Sequence, residues 1–185
     1  CEYVVPLFSE LGRVRPVDGC YAVLGNNDYE RCTDLIRMAM KAQGIELLED
    51  SVSIIYRGED SIVIWGANAY AGRYPTSPVK CGDMELMGQK EFVILLSHTP
   101  DYVEDMDIDG VDLALAGHTH GGQVTLFGLY APITASKYGT RFRTGLRCNS
   151  KGIPVIVSNG LGTSRRSIRF CAPTDITIVT LCRPK

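Results

Sequence analysis

All three histidines of this 185-residue chain fall in two short motifs, Leu96-Ser97-His98-Thr99-Pro100-Asp101 and Ala116-Gly117-His118-Thr119-His120-Gly121-Gly122-Gln123. Each motif follows an apolar run, and a third such run, Tyr21–Leu24, leads into Gly25-Asn26-Asn27-Asp28. Neutral imidazole nitrogens with amide or carboxylate oxygens form a donor set for borderline divalent ions such as zinc, manganese and iron. His118 and His120 stand two residues apart, which places both rings on one side of an extended segment. Gly117, Gly121 and Gly122 remove side chains that would keep a ligand away from the backbone. Asn26 can lend its amide oxygen to a metal, with Asp28 orienting the site from behind. A lone histidine, or a lone Gly-Asn-Asn-Asp turn, is commonplace. Three polar clusters at the ends of three apolar runs carry more weight, because the carboxyl ends of buried strands line the functional edge of an open α/β sheet.

The elements that position these residues read from hydrophobic periodicity. Residues 7–13 are expected to end a helix, with Gly12 as the stop. In Tyr29–Gln43, residues Leu35, Ile36, Met38, Ala39 and Ala42 follow a 3.6-residue period and Gly44 offers a cap, which predicts one helix. Val52–Arg57 and Ser61–Trp65 read as a hairpin around Gly58-Glu59-Asp60. Residues 67–81 read as a surface loop and Asp83–Lys90 as a short helix. Phe92–Leu96, Leu113–Ala116 and Pro154–Ser158 are short apolar runs expected to form covered strands. Gln123–Leu126 and Ile176–Leu181 are expected as further strands, the last at an edge. An excess of strands in the second half favours two packed sheets over a doubly wound one.

Length and composition bound the remaining choices. The chain, residues 1–185, is sized for one domain and long enough to bury roughly 70% of its unfolded surface. A formal net charge of −2 gives no electrostatic reason to expect nucleic acid or anionic lipid as a partner. No stretch approaches the ~20 apolar residues of a membrane span, and no signal peptide is visible. Seven cysteines without a C-x-x-C pair argue against a zinc ribbon and against a fully paired disulfide framework. Reduced, mostly buried thiols are expected, which favours the cytoplasmic side.

Gly25-Asn26-x-Asp28, Ser97-His98 and Gly117-His118-Thr119-His120 together resemble the calcineurin-like metallophosphoesterases, in the bacterial branch with L-x-H-x-P-D and G-H-T-H-G-G-Q segments. The stretch Val157–Ser164 followed by Ile168-Arg169-Phe170 resembles the same branch. The resemblance implies an α/β fold, a four-layer αββα sandwich. It also implies two divalent ions (manganese, iron or zinc) about 3.5–4 Å apart, which generate a hydroxide that attacks phosphorus in line. By resemblance, Asn26, His98 and His118 ligate one ion and His120 contributes to the other. Asn27 and Asp28 occupy the catalytic positions, but the family usually has histidine where Asn27 stands. Asparagine donates a hydrogen bond to a phosphoryl oxygen and cannot protonate a leaving group, a role typically worth about 10²–10⁴-fold. Arg165 and Arg166, just after Gly160-Leu161-Gly162, are candidates to clamp a substrate phosphate. Arg141 and Arg143 alternate like the exposed face of a strand.

The family carries D-x-H and G-D-x-x-D motifs upstream of its Asn motif, and the 25 residues before Asn26 contain neither. The chain begins with cysteine, so it is expected to be the C-terminal part of a catalytic domain lacking the first two strands. Asp101 and Asp112 are no ready substitutes for the missing carboxylates. The chain alone would then hold at most one ion and would tend to self-associate through an exposed sheet edge. The function implied is hydrolysis of small phosphate mono- or diesters, lipid-linked or nucleotide-linked substrates included. The location implied is the cytoplasm, or the cell envelope through an N-terminal segment outside this chain. Asn27 favours one alternative, a non-catalytic metal- or phosphate-binding relative. A structural zinc site on His98, His118 and His120 is disfavoured because no cysteine lies beside any histidine motif.

Overall fold

The computed structural model describes residues 1–68 and 91–182. Helix α1 (Val4–Leu11) tolerates Pro6 because proline falls in its first turn, where the missing N–H has no intrahelical partner. Strand β1 (Cys20–Ala22) leads to α2 (Asn26–Glu30) and α3 (Thr33–Ala42). The single helix expected over Tyr29–Gln43 is therefore two. Arg31 is extended and Cys32 is left-handed at φ 58°, while Thr33 Oγ1 donates to the Asp28 carbonyl at 2.7 Å and closes the break. Cys32 is also disulfide-bonded to Cys1 (Cα–Cα 5.8 Å), which corrects the expectation of wholly reduced cysteines. Cys148, Cys171 and Cys182 are exposed and Cys20 is half-buried, so the free thiols among the described residues are not a buried set either.

Strand β2 (Ile45–Leu47) pairs in parallel with β1. α3 presents Ile36, Ala39 and Met40 at helical spacing to Phe8 of α1 and to Leu24 and Ile45. Glu49 then fixes α2 and α3 from the side, accepting from Tyr29 Oη (3.1 Å) and Arg37 Nη2 (2.7 Å).

The larger sheet holds β3 (Ser51–Arg57), β4 (Asp60–Ala67), β5 (Phe92–Ser97), β6 (Leu113–Ala116), β7 (Gly145–Cys148) and β8 (Pro154–Val157) in the order β3-β4-β5-β6-β8-β7. Its four central strands are parallel, and β3 and β7 close it with antiparallel pairs. Helix α4 (Asp101–Asp105) lies in the β5–β6 crossover. One face of the sheet, with Val63, Trp65, Val93, Leu95, Ala114, Val155 and Val157, buries against Tyr102, Val103, Ile108 and Phe142. Each such large side chain contributes roughly 1.5–3 kcal/mol. The opposite face, with Ile94, Leu96, Leu115 and Ile156, is half-buried. Gly66 brings the two sheets together: a Cβ there would lie 2.1 Å from Leu48 Cβ, and Leu48 is buried beside it.

The architecture is α/β, a sandwich of sheets and helices. Three sequence expectations fail locally. Gln123–Leu126 forms only isolated bridges, Val124 to Phe170 and Leu126 to Tyr130, because left-handed residues on both sides interrupt any ladder. Ile176–Leu181 joins no strand, and Ile176 and Ile178 are exposed. Arg141 and Arg143 lie in a turn, Arg141 paired with Glu104 at 3.0 Å. The helix expected over Asp83–Lys90 and most of the loop expected over 67–81 lie outside the described residues. Among the described residues no helix is long and apolar enough to cross a membrane.

Candidate metal centre

Ser97, Ala116 and Val157 are in register at the carboxyl ends of β5, β6 and β8, so the residues that follow them emerge at one edge. His98 follows β5, Gly117-His118 follows β6, and Asn26 opens α2 just beyond β1. Gly25 N–H donates to Asp28 Oδ2 at 2.7 Å, closing the turn that carries Asn26. A Cβ on Gly25 would sit 2.5 to 2.9 Å from atoms of the His98 ring, so only glycine allows the ring to lie there.

The result is a convergence of three donor atoms. His98 Nε2 lies 2.9 Å from Asn26 Oδ1 and 2.9 Å from His118 Nδ1. Burial pushes His98 down to about 3, helped by the neighbouring His118 and His120. Burial also lowers His118, partly opposed by Asp101 and a hydrogen bond to the Ala135 carbonyl. His120 is lowered by burial and by Arg169, against a hydrogen bond to the Gly162 carbonyl. All three imidazoles are therefore neutral near pH 7. One ring proton cannot make two full hydrogen bonds in different directions, so the edge shared by Asn26, His98 and His118 carries more lone pairs than protons. A cation would resolve that surplus. Ligand atoms on adjacent corners around an ion with bonds of about 2.1 Å lie about 3 Å apart, close to the separations found.

The loop bearing His118 and His120 is not extended. His118, His120, Gly121, Gly122 and Gln123 all have positive φ, and His120–Gly122 forms a short 3-10 turn. Two arginines hold it through backbone carbonyls. Arg143 donates to Gly121 O (2.9 Å) and Gly128 O (2.6 Å), while Arg169 donates to the carbonyls of His120 (2.9 Å), Asn159 (2.7 Å) and Gly162 (3.2 Å). Gln123 accepts from Ser164 N–H at 2.6 Å and donates to Ser164 O and Arg166 O at 3.0 Å each. Asp101 anchors the far side, accepting from Ser136 Oγ and Lys137 N–H, next to the Ala135 carbonyl that His118 uses.

The structure thus brings Asn26, His98 and His118 together. His120 stands within electrostatic reach of both rings but turns to Gly162. Asn27 is exposed on the first turn of α2. Arg165 and Arg166 are exposed, and their guanidinium groups meet no partner among the described residues. Asp112 is occupied by the Val93 N–H at 2.8 Å. Among the described residues no three His, Cys, Asp or Glu side chains form a metal cluster; the third donor here is an amide. Sequence reasoning passed over Arg169, Arg143 and Gln123 as functional supports. The available signals were a cation set between apolar Ile168 and Phe170, and another beside the fully buried Phe142. A cavity of 450 Å³ bordered by Arg37, Lys41 and Leu47 lies against α3 and β2 and includes none of the histidines.

No family model matches the chain. It is 33% identical over 165 residues to the uncharacterized Bacillus subtilis protein YpbG, covering 88% of the chain and 58% of that protein. It is 30% identical over 188 residues to an uncharacterized metallophosphoesterase of Aquifex aeolicus, covering 97% and 66%. Identity to the Escherichia coli phosphodiesterase YaeI is 30% over 139 residues, covering 71% and 48%. The chain thus spans less than two thirds of the length of each of these relatives. Among solved structures, a Staphylococcus aureus protein described as a candidate 5′-nucleotidase, in complex with α-ketoglutarate, matches with a TM-score of 0.52. That match covers 98% of this chain and 44% of the other at 11% identity, a likeness of fold. From these relatives, together with the α/β sandwich, the chain belongs to the metallophosphoesterase family.

Proposed function

We propose that this chain carries part of the active site of a metal-dependent hydrolase of small phosphate mono- or diesters, in which Asn26, His98 and His118 hold one divalent ion (manganese, iron or zinc). The observation behind this reading is the 2.9 Å convergence of Asn26 Oδ1, His98 Nε2 and His118 Nδ1. When bound, such an ion neutralises phosphoryl charge and furnishes a nucleophile at neutral pH. The chain's own residues supply the rest. Burial keeps His98 and His118 neutral, so their lone pairs are free to bind. His120 gives its one ring proton to the Gly162 carbonyl, which leaves its other nitrogen as a donor toward a second ion. The described donor set is uncharged and so suits one ion, not two. The carboxylates for the second belong, on this reading, to a preceding part of the catalytic domain, of which this chain is the C-terminal part.

Asn27, exposed beside Asn26, donates a hydrogen bond to a phosphoryl oxygen and leaves the departing group unprotonated. Arg165 and Arg166, solvent-facing after Gly160-Leu161-Gly162, are the candidates to bind a substrate phosphate. Asn27 also favours a second reading, a relative that binds metal or phosphate without turnover. The test is hydrolysis of nitrophenyl and alkyl phosphoesters by the whole protein with manganese. His118→Ala should nearly abolish turnover, and Asn27→Ala should cost no more than about 10²–10³-fold. Asn27→His should speed the alkyl ester more than the nitrophenyl ester, because only the alkoxide needs a proton as it leaves. Metal uptake without turnover of either ester would favour the second reading.

A further inference from the structure

The net charge of −2 conceals a division of the chain. Between Asp112 and Asp175 there is no Asp or Glu, while eight Lys and Arg residues fall in that stretch. Lys137, Arg141 and Lys151 are paired with acids of α4 and of the turn after it. Arg143, Arg147 and Arg169 are bound to backbone carbonyls. Arg165 and Arg166 face solvent.

Beside these two cations runs an exposed apolar rim. Residues 124–130 turn back on themselves, with Leu126 N–H donating to Tyr130 O at 2.7 Å and Leu129 N–H to Leu126 O at 3.0 Å. They lie against residues 168–171: Val124 pairs with Phe170, and Thr125 donates from its N–H to Phe170 O (2.9 Å) and from Oγ1 to Cys171 O (2.7 Å). Phe127 and Leu129 at the tip are 81% and 82% exposed, and Ile168 and Phe170 are 59% and 60% exposed. Phe127 has φ 53°, a left-handed position that disfavours bulky residues, so an aromatic ring is held in water at the cost of backbone strain. Scattered exposed apolar residues are ordinary, but a contiguous set marks a contact surface. Gln123 ties the foot of this hairpin to the Arg166 carbonyl, and His120 lies three residues before it on the same loop.

We infer that this rim docks the protein on an anionic lipid surface. Phe127, Leu129, Ile168 and Phe170 enter the headgroup layer, and Arg165 and Arg166 pair with lipid phosphates. The docking deepens the hydrolase reading and rests on it for one consequence alone: the phosphoester reaches the histidine cluster from the membrane side. Charge selects the occupant. A second copy meeting the same face would bring two more arginines and no acid, since residues 113–174 hold no Asp or Glu, whereas a bilayer with anionic headgroups offers both apolar depth and negative charge. A nucleic acid would match the cations and could stack on Phe127, but it leaves Leu129 and Ile168 without an apolar partner.

The test is co-sedimentation of the protein with phosphatidylglycerol-containing vesicles and with pure phosphatidylcholine vesicles. Binding to the anionic vesicles is expected, and it should weaken with salt. The double variant Arg165→Gln/Arg166→Gln should bind about 25-fold more weakly, each cation near an anionic surface being worth about fivefold. Phe127→Asn/Leu129→Ser should abolish binding and leave the melting temperature unchanged or higher, because asparagine tolerates the left-handed position. The inference is overturned if anionic vesicles capture nothing, or if both double variants bind like the parent. It is equally overturned if Phe127→Asn/Leu129→Ser dissolves a self-associated form that never bound vesicles, or if duplex DNA binds more tightly and survives that substitution. None of these readouts uses turnover, so the hydrolase reading stands or falls separately.

Discussion

The loop Gly117–Gln123 and the segment Ile176–Leu181 make an instructive pair. The loop has three glycines, no aliphatic residue and five left-handed residues, yet its carbonyls are held by Arg143 and Arg169 and its last side chain is bonded three times to the 164–166 backbone. The segment has four aliphatic residues in six and belongs to no strand, with Ile176 77% and Ile178 89% exposed. Residue preference would rank them the other way. What separates them is the partner: a guanidinium aims several donors at once, and a hydrogen bond to a charged group is worth about 1.5–3 kcal/mol. A strand has no such self-sufficiency and forms only beside another strand.

The contrast is sharpest at Arg169. Arg169→Ala should cost about 3 kcal/mol or more in urea unfolding, because it leaves several carbonyls without a donor at once. Arg165→Ala, a few residues away and solvent-facing, should stay within about 0.5 kcal/mol. Equal losses would mean that the guanidinium does not hold the loop. A second comparison separates crowding from backbone strain. Gly121 and Gly160 have nearly the same φ, 64° and 65°, but a Cβ on Gly121 would meet Asn159 Oδ1 at 2.3 Å while one on Gly160 meets open space. Gly160→Ala should cost about 1 kcal/mol from strain alone. Gly121→Ala should cost about 2–3 kcal/mol by thermal or urea unfolding, since overpacking adds to the strain. The smallest effect is expected in the exposed segment. Ile176→Ser with Ile178→Ser should shift stability by no more than about 0.5 kcal/mol. A larger loss would show that the segment is paired in solution.

The same physics explains what could be read from the chain beforehand. β4, β5, β6 and β8 were legible because short apolar runs have little choice but to be covered. The meeting of His98 and His118 followed from two strand ends sharing one edge of the larger sheet, and Asn26 joins them from beyond β1 of the smaller sheet. The break at Arg31-Cys32 was hidden, since the apolar period of α3 runs smoothly back toward Tyr29 and only the left-handed Cys32 interrupts it. The shape of the histidine loop was also hidden, because two histidines and a glutamine occupy conformations that their own types disfavour. Arg143 and Arg169 were overlooked because their partners are distant carbonyls, which leave no mark on local periodicity. The strand expected over Gln123–Leu126 gave no sign that Phe127, the next residue, is the tip of a turn.

Asn26, His98 and His118 are expected to form a binding site for a divalent ion. Titration of cobalt(II) into the metal-free protein, followed by its visible d–d absorption, tests it directly. The expected result is a single ion per chain, lost in His98→Ala and in His118→Ala, weakened in Asn26→Ala and retained in His120→Ala. Absent absorption, or a titration that His98→Ala and His118→Ala leave unchanged, would contradict it.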